Sequence, residues 1–135
     1  MKKIFFAVII FSIAFAACDN SNAKENKKDP LESGRGFIEA SLKGNYVEAK
    51  KYILEDSTNL EYFNGLRDFN SKMTPIEREN YRDANIIIDS TSKLSDSVTI
   101  ISYSNTYKKV PSKLKMVRQN NEWLVDFKFS FVDSL

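Results

Sequence analysis

Histidine is absent from this 135-residue chain, and cysteine occurs once, at Cys18. Without histidine, Ser-His-Asp and Cys-His nucleophile schemes have no base. A single cysteine cannot form a disulfide within a monomer, so stability has to come from packing. A metal site built on histidine or cysteine is excluded for the same reason, and no motif calls for a cofactor. Long hydrophobic runs are missing too. The apolar character of the N-terminus stops at Ala17, with Asp19 and Asn20 close behind, short of the roughly 20 apolar residues that cross a bilayer. No internal repeat is visible.

What stands at the start is ordered. Lys2 and Lys3 precede an unbroken apolar run from Ile4 to Phe11, and Phe15-Ala16-Ala17 sits directly before Cys18. A positive start, an apolar segment and small residues at the cleavage point are the parts of an export signal. The segment resembles a bacterial lipoprotein signal, with Phe15 where such signals usually carry Leu. The resemblance implies cleavage after Ala17 and acyl chains, palmitate among them, on Cys18. Acylation would also account for a lone exported cysteine, which is otherwise a free reactive thiol. An ordinary cleaved signal followed by a free cysteine is the alternative. The expected location is the cell envelope, lipid-anchored to a membrane on its periplasmic or surface side, and two or three acyl chains hold far more firmly than one.

Removing residues 1–17 leaves 118 residues with equal numbers of basic and acidic side chains, since Lys2 and Lys3 leave with the signal. The net charge is then zero, and the basic pI of the whole chain is no argument for nucleic-acid binding. A domain of about 100 residues builds one core. The segment Asp19–Asp29 has one Ala and no other apolar residue, so residues 18–29 are expected to be the lipidated cysteine and a disordered tether. Residues 30–135 are expected to form a single domain.

Asp29-Pro30 is a helix start. Leu31, Gly34, Ile38 and Leu42 follow at helical spacing with Phe37 alongside, and Gly44 is a left-handed stop. Asn45 can cap a second helix carrying Tyr46, Ala49 and Ile53, with Tyr52 beside them. Thr58-Asn59-Leu60-Glu61 reads as a capping box for a third helix, with Leu60, Phe63, Leu66, Asn70 and Met73 on its stripe, ending near Ser71. Thr74-Pro75-Ile76-Glu77 is a second capping box, opening a short helix to about Asp83. The period then changes. Ile86 to Ile88, Val98 to Tyr103, Leu114 to Val117 and Trp123 to Phe131 read as strands, and Asn120-Asn121 suits a tight hairpin. Helices followed by hairpin-linked strands predict an α+β domain, its N-terminal helices packed on one face of a curved antiparallel sheet.

This order, with Leu42-Lys43-Gly44-Asn45-Tyr46-Val47-Glu48-Ala49-Lys50-Lys51-Tyr52 in the helical pair and Leu114-Lys115-Met116-Val117-Arg118-Gln119-Asn120-Asn121-Glu122-Trp123-Leu124-Val125 in the last hairpin, resembles the cystatin-like cone of the nuclear transport factor 2-like superfamily. More narrowly, it is similar to small bacterial lipoproteins of unknown function with that fold. The matching motifs are structural and leave function open. The isomerase branch of the superfamily uses an acidic base and a Tyr/Asp oxyanion site, which have no matching positions here.

Two constellations remain. Tyr62, Phe63, Arg67, Tyr103, Tyr107 and Trp123 can line an apolar pocket or simply form the core. Asp126 lies on the opposite strand parity from Trp123 and Val125, so it is expected to point away from the core. Between Ser97 and Asn121 stand Lys108, Lys109, Lys113, Lys115 and Arg118 with no acidic residue. They can meet an anionic partner or guard a strand edge against aggregation. The leading expectation is a non-enzymatic, membrane-tethered binding module for an envelope protein. The alternative is a small-molecule-binding or isomerase-like cone with an apolar pocket. The membrane is the expected partner through the lipid anchor, nucleic acid is not, and the sheet offers a route to a homodimer.

Overall fold

The computed structural model of the protein describes residues 27–132, so the expected signal, Cys18 and most of the tether lie outside the described residues. Four helices come first: α1 (Pro30–Leu42), α2 (Tyr46–Lys50), α3 (Ser57–Ser71) and α4 (Pro75–Arg82). Four strands follow, β1 (Ile86–Ser95), β2 (Val98–Asn105), β3 (Ser112–Gln119) and β4 (Glu122–Val125), and then a last helical turn, α5 (Phe129–Val132). The strands form one antiparallel sheet in chain order. The domain is α+β, with its helices packed on the sheet.

Local chemistry explains most boundaries. The Asp29 carboxylate accepts from the backbone N–H groups of Leu31 and Glu32, and Pro30 sits in the first turn of α1. Gly44, with φ +70°, lets the chain leave α1, and Asn45 caps α2 by accepting from Glu48 N–H. Thr74 and Glu77 exchange bonds in a complete capping box at α4. Asn120 and Asn121, at φ 52° and 62°, make the two-residue turn between β3 and β4, the geometry whose twist matches paired strands.

Helix α3 starts earlier than the Thr58 box predicts. Asp56 is its cap, accepting from Asn59 N–H at 2.8 Å, so the cap falls two residues before Thr58 and uses a different donor from the one a Thr58 box would use. Helix α2 is shorter than expected. Beyond it the backbone at Tyr52 and Leu54 bonds to both sides of Val125, a parallel bridge that covers the outer edge of β4. Strand β1 is longer than Ile86 to Ile88, running on through Ser95 against β2. Its outer half is exposed, so no alternation of apolar residues marks it.

The strand expected from Trp123 to Phe131 stops at Val125. Residues 126–128 turn away and α5 begins, because Asp126 and Lys128 are held by partners described below.

The core lies between α1 and the inner face of the sheet. Ile101, Leu114, Met116 and Val125 are fully buried there with Phe37, Ile38, Tyr52, Ile53 and Phe63. Burial of each such side chain stabilises by about 1.5–3 kcal/mol. Helix α1 crosses the sheet closely at Gly34, where a β-carbon would stand 2.5 Å from the end of Ile101. The buried Ser33 hydroxyl then donates to the Trp123 carbonyl oxygen at 2.6 Å, fixing the helix to β4.

Candidate functional site

A cavity of about 550 Å³ opens where α1, α3 and the loop between β2 and β3 meet. Its inner wall is apolar, with Phe37, Ile38, Leu42, Tyr46, Leu66 and Phe127. The mouth carries Phe69, Met73, Tyr81, Val110, Pro111 and Lys113. Polar groups also line it: Ser41, Asn70, Ser102, Tyr103, Asn105, Ser112 and Ser130. The Ser41 hydroxyl oxygen is buried and has no hydrogen-bond partner among the described residues.

Asn70 spends a side-chain N–H on the weak acceptor Met73 Sδ, at 3.8 Å. Burial pushes the Tyr103 hydroxyl above its ordinary pKa, partly offset by a hydrogen bond with Ser112, and burial raises Tyr46 as well. Both phenols are therefore neutral at physiological pH and available as hydrogen-bonding groups. Among the described residues no carboxylate lines this cavity.

Of the six pocket candidates, only Tyr103 lines it. Phe63 is buried beside it in the core, its ring 5.9 Å from Tyr46 and 6.5 Å from Phe37. Tyr62 and Arg67 are exposed on the outer side of α3, and Trp123 is buried in the core, its carbonyl bonded to Ser33. Tyr107 packs edge-on against Tyr81 at 5.0 Å, next to the mouth. The helical stripe Leu66, Asn70 and Met73 was legible as an inward face. Its role as cavity wall was not, because spacing distinguishes inside from outside and not a filled interior from a hollow one.

The five basic residues do not form one surface. Lys108, whose Nζ lies 4.8 Å over the Tyr107 ring, and Lys109, at φ 56°, precede Val110 in the loop, and Lys113 lines the mouth. Arg118 is at the far end of β3, bonded to Asn121 at 3.3 Å. Lys115 points elsewhere, into a polar cluster.

That cluster was not foreseen. Asp126, expected to point away from the core, lies just past the end of β4 and is only 6 % exposed. Lys115 reaches its carboxylate at 3.1 Å and Lys128 at 2.9 Å, and Asn59 donates to it at 3.2 Å. Asn59 also donates to Asp56 at 2.8 Å and accepts from Lys128 N–H at 2.8 Å, while Lys128 Nζ lies 3.0 Å from Asp56. Burial pushes Asp126 up, but the bonds from Lys128, Lys115 and Asn59 outweigh it, and the carboxyl is held below its usual range. The Asn59 backbone N–H, with Lys128, lowers Asp56 in the same way, and the two carboxylates raise Lys128. A carboxylate so neutralised is a poor proton acceptor. The cluster is a clamp joining α3, β3 and the end of β4.

Among the described residues no set of three or more acidic, histidine or cysteine side chains could hold a metal ion. No described helix is long and apolar enough to cross a membrane. The geometry defines a small α+β domain, helices on a four-stranded antiparallel sheet, compatible with a cone-like fold and hollow at one end. No protein-family model, curated protein or solved structure matches the chain.

Proposed function

We propose that the chain is a non-enzymatic binding module of a bacterial cell envelope, tethered to its membrane through Cys18, and that its cavity takes a small, largely apolar ligand. The observation that carries the ligand reading is the cavity. It is a half-open cleft, and about 550 Å³ lies within the range of ligand pockets. Its apolar inner wall with polar groups around it fits the same class of site, and among the described residues the Ser41 hydroxyl has no partner. The tether reading is supported by Lys2, Lys3, the run from Ile4 to Phe11 and Ala17 before Cys18.

The finer likeness to a nuclear transport factor 2-like cone is supported by the order of helices and strands and by the Asn120-Asn121-Glu122-Trp123 hairpin. An isomerase-like activity has less support, because proton abstraction needs a base within reach. Among the described residues the lining has no carboxylate, and Asp126 is spent in the clamp.

Two measurements test the reading. Intact-mass analysis of protein from its own membrane should show a chain beginning at Cys18 plus acyl chains, lost in Cys18→Ala. An unmodified chain would remove the tether. Titration with an apolar fluorophore should show saturable binding, weakened about tenfold or more by the cavity-filling Met73→Trp, with Tm unchanged. Fluorescence indifferent to Met73→Trp would remove the ligand site.

A further inference from the structure

At the cavity mouth, exposed apolar side chains stand beside exposed cations. Phe69 at the end of α3 and Val110 in the loop between β2 and β3 both line the cavity, and each is 60 % exposed. Lys108 and Lys109 directly precede Val110, and Lys113 follows on the same rim; all three are exposed. Among the described residues, two acidic groups near the rim are engaged elsewhere. Asp68 lies 4.0 Å from Arg67, and Glu77, which feels the charge of Lys108, is held by Thr74 in the capping box. No acidic residue occurs from Val98 to Asn121.

We infer that this rim docks on an anionic lipid surface, Phe69 and Val110 entering the interface and Lys108, Lys109 and Lys113 meeting the phosphates. Apolar side chains gain by entering the boundary between headgroups and acyl chains, and lysine stems can lie along it while their ammonium groups reach the headgroups. A second copy of this chain is the poorer occupant. A two-fold contact uses the same patch on both subunits, which would bring the lysines of one copy against those of the other. The inference deepens the proposed reading, since a mouth docked this way opens the cavity to acyl chains and not to water.

The tether allows this pose. The mouth lies at the Ser112 end of β3, while Lys27 is bonded to Trp123 and paired with Glu122 at the other end. Strand β3 spans about 24 Å. The nine peptide steps from Cys18 to Lys27 reach about 30 Å when extended, enough for an anchored domain to lie along the membrane.

The experiment uses the mature chain with Cys18→Ser, so that no acyl chain contributes, co-sedimented with phosphatidylcholine vesicles and with vesicles enriched in phosphatidylglycerol. Binding is expected to favour the anionic vesicles at least about tenfold and to weaken as salt is added. Each lysine should contribute roughly fivefold, so K108Q/K109Q/K113Q should abolish the preference. F69N/V110N should weaken binding about tenfold, and K50Q/R118Q, at the opposite end of β3, should change nothing; melting curves check that all variants fold. Equal binding to both vesicles, no binding, or equal loss in K50Q/R118Q overturns the inference. So does self-association that F69N/V110N abolishes in the absence of vesicle binding, which would assign the face to a second copy. Fluorophore uptake without vesicle binding removes the docking and leaves the cavity reading; vesicle binding without uptake does the reverse.

Discussion

The side-chain amide of Asn59 donates to Oδ1 of Asp126 at 3.2 Å, tying the first turn of α3 to the end of β4 across 67 residues. Asn59 is completely buried and uses both ends of its carboxamide, giving to Asp56 and Asp126 and accepting from Lys128 N–H. Its removal takes one donor from each carboxylate and the acceptor from Lys128 N–H, and leaves a hole at a fully buried position.

Asn59→Ala should therefore lower stability by about 2–4 kcal/mol, more than an ordinary surface substitution and comparable to a core cavity. Urea denaturation of the variant beside the parent measures it. A change below about 0.5 kcal/mol would mean that the clamp contributes little.

The clamp also sets a pH dependence. Asp126 and Asp56 titrate below their unfolded values near 4. Their contribution is thus fully present above about pH 4 and is lost as pH falls through the depressed folded values. Lys128 is raised above its unfolded value near 10.4. Its contribution is full below that pH and is lost as pH rises through the folded value. Thermal melts across pH should show a falling Tm below about pH 4, and Asp126→Asn should flatten that acid limb while lowering Tm at neutral pH. A parallel acid limb in the variant would place the acid sensitivity elsewhere.

Two glycines should respond oppositely to the same change. A β-carbon at Gly36 would stand 2.6 to 2.8 Å from the ring and hydroxyl of the buried Tyr52, so Gly36→Ala should destabilise by about 1–3 kcal/mol as overpacking does. Gly65, in the middle of α3, has nothing within 4 Å of that position. Gly65→Ala should stabilise by about 0.5–1 kcal/mol through helix propensity. Paired melting curves decide, and a loss of stability in Gly65→Ala would show that α3 has a neighbour there.

The local elements were legible because their causes are local. Asp29-Pro30, the Thr74 to Glu77 box, Gly44 and Asn120-Asn121 each act within about four residues, and each lies where its chemistry places it. The helices-then-sheet order followed from the change of period after Ala84. Trp123 to Phe131 misled for a related reason. Alternation alone extends a strand until something outside the segment stops it, and here Asn59, Lys115 and Asp56 hold Asp126 and Lys128 out of line.

By itself, then, the amino-acid sequence determined the absence of histidine chemistry, the helix caps, the hairpin turn and the α+β class. These depend on composition or on contacts between near neighbours. Only the tertiary structure decided that five polar residues from positions 56 to 128 form one clamp, that Tyr103 alone of six candidates reaches the cavity, and that Phe69 and Val110 flank its mouth beside three lysines. Long-range placement depends on how whole elements pack, and residue spacing along the chain does not encode that distance.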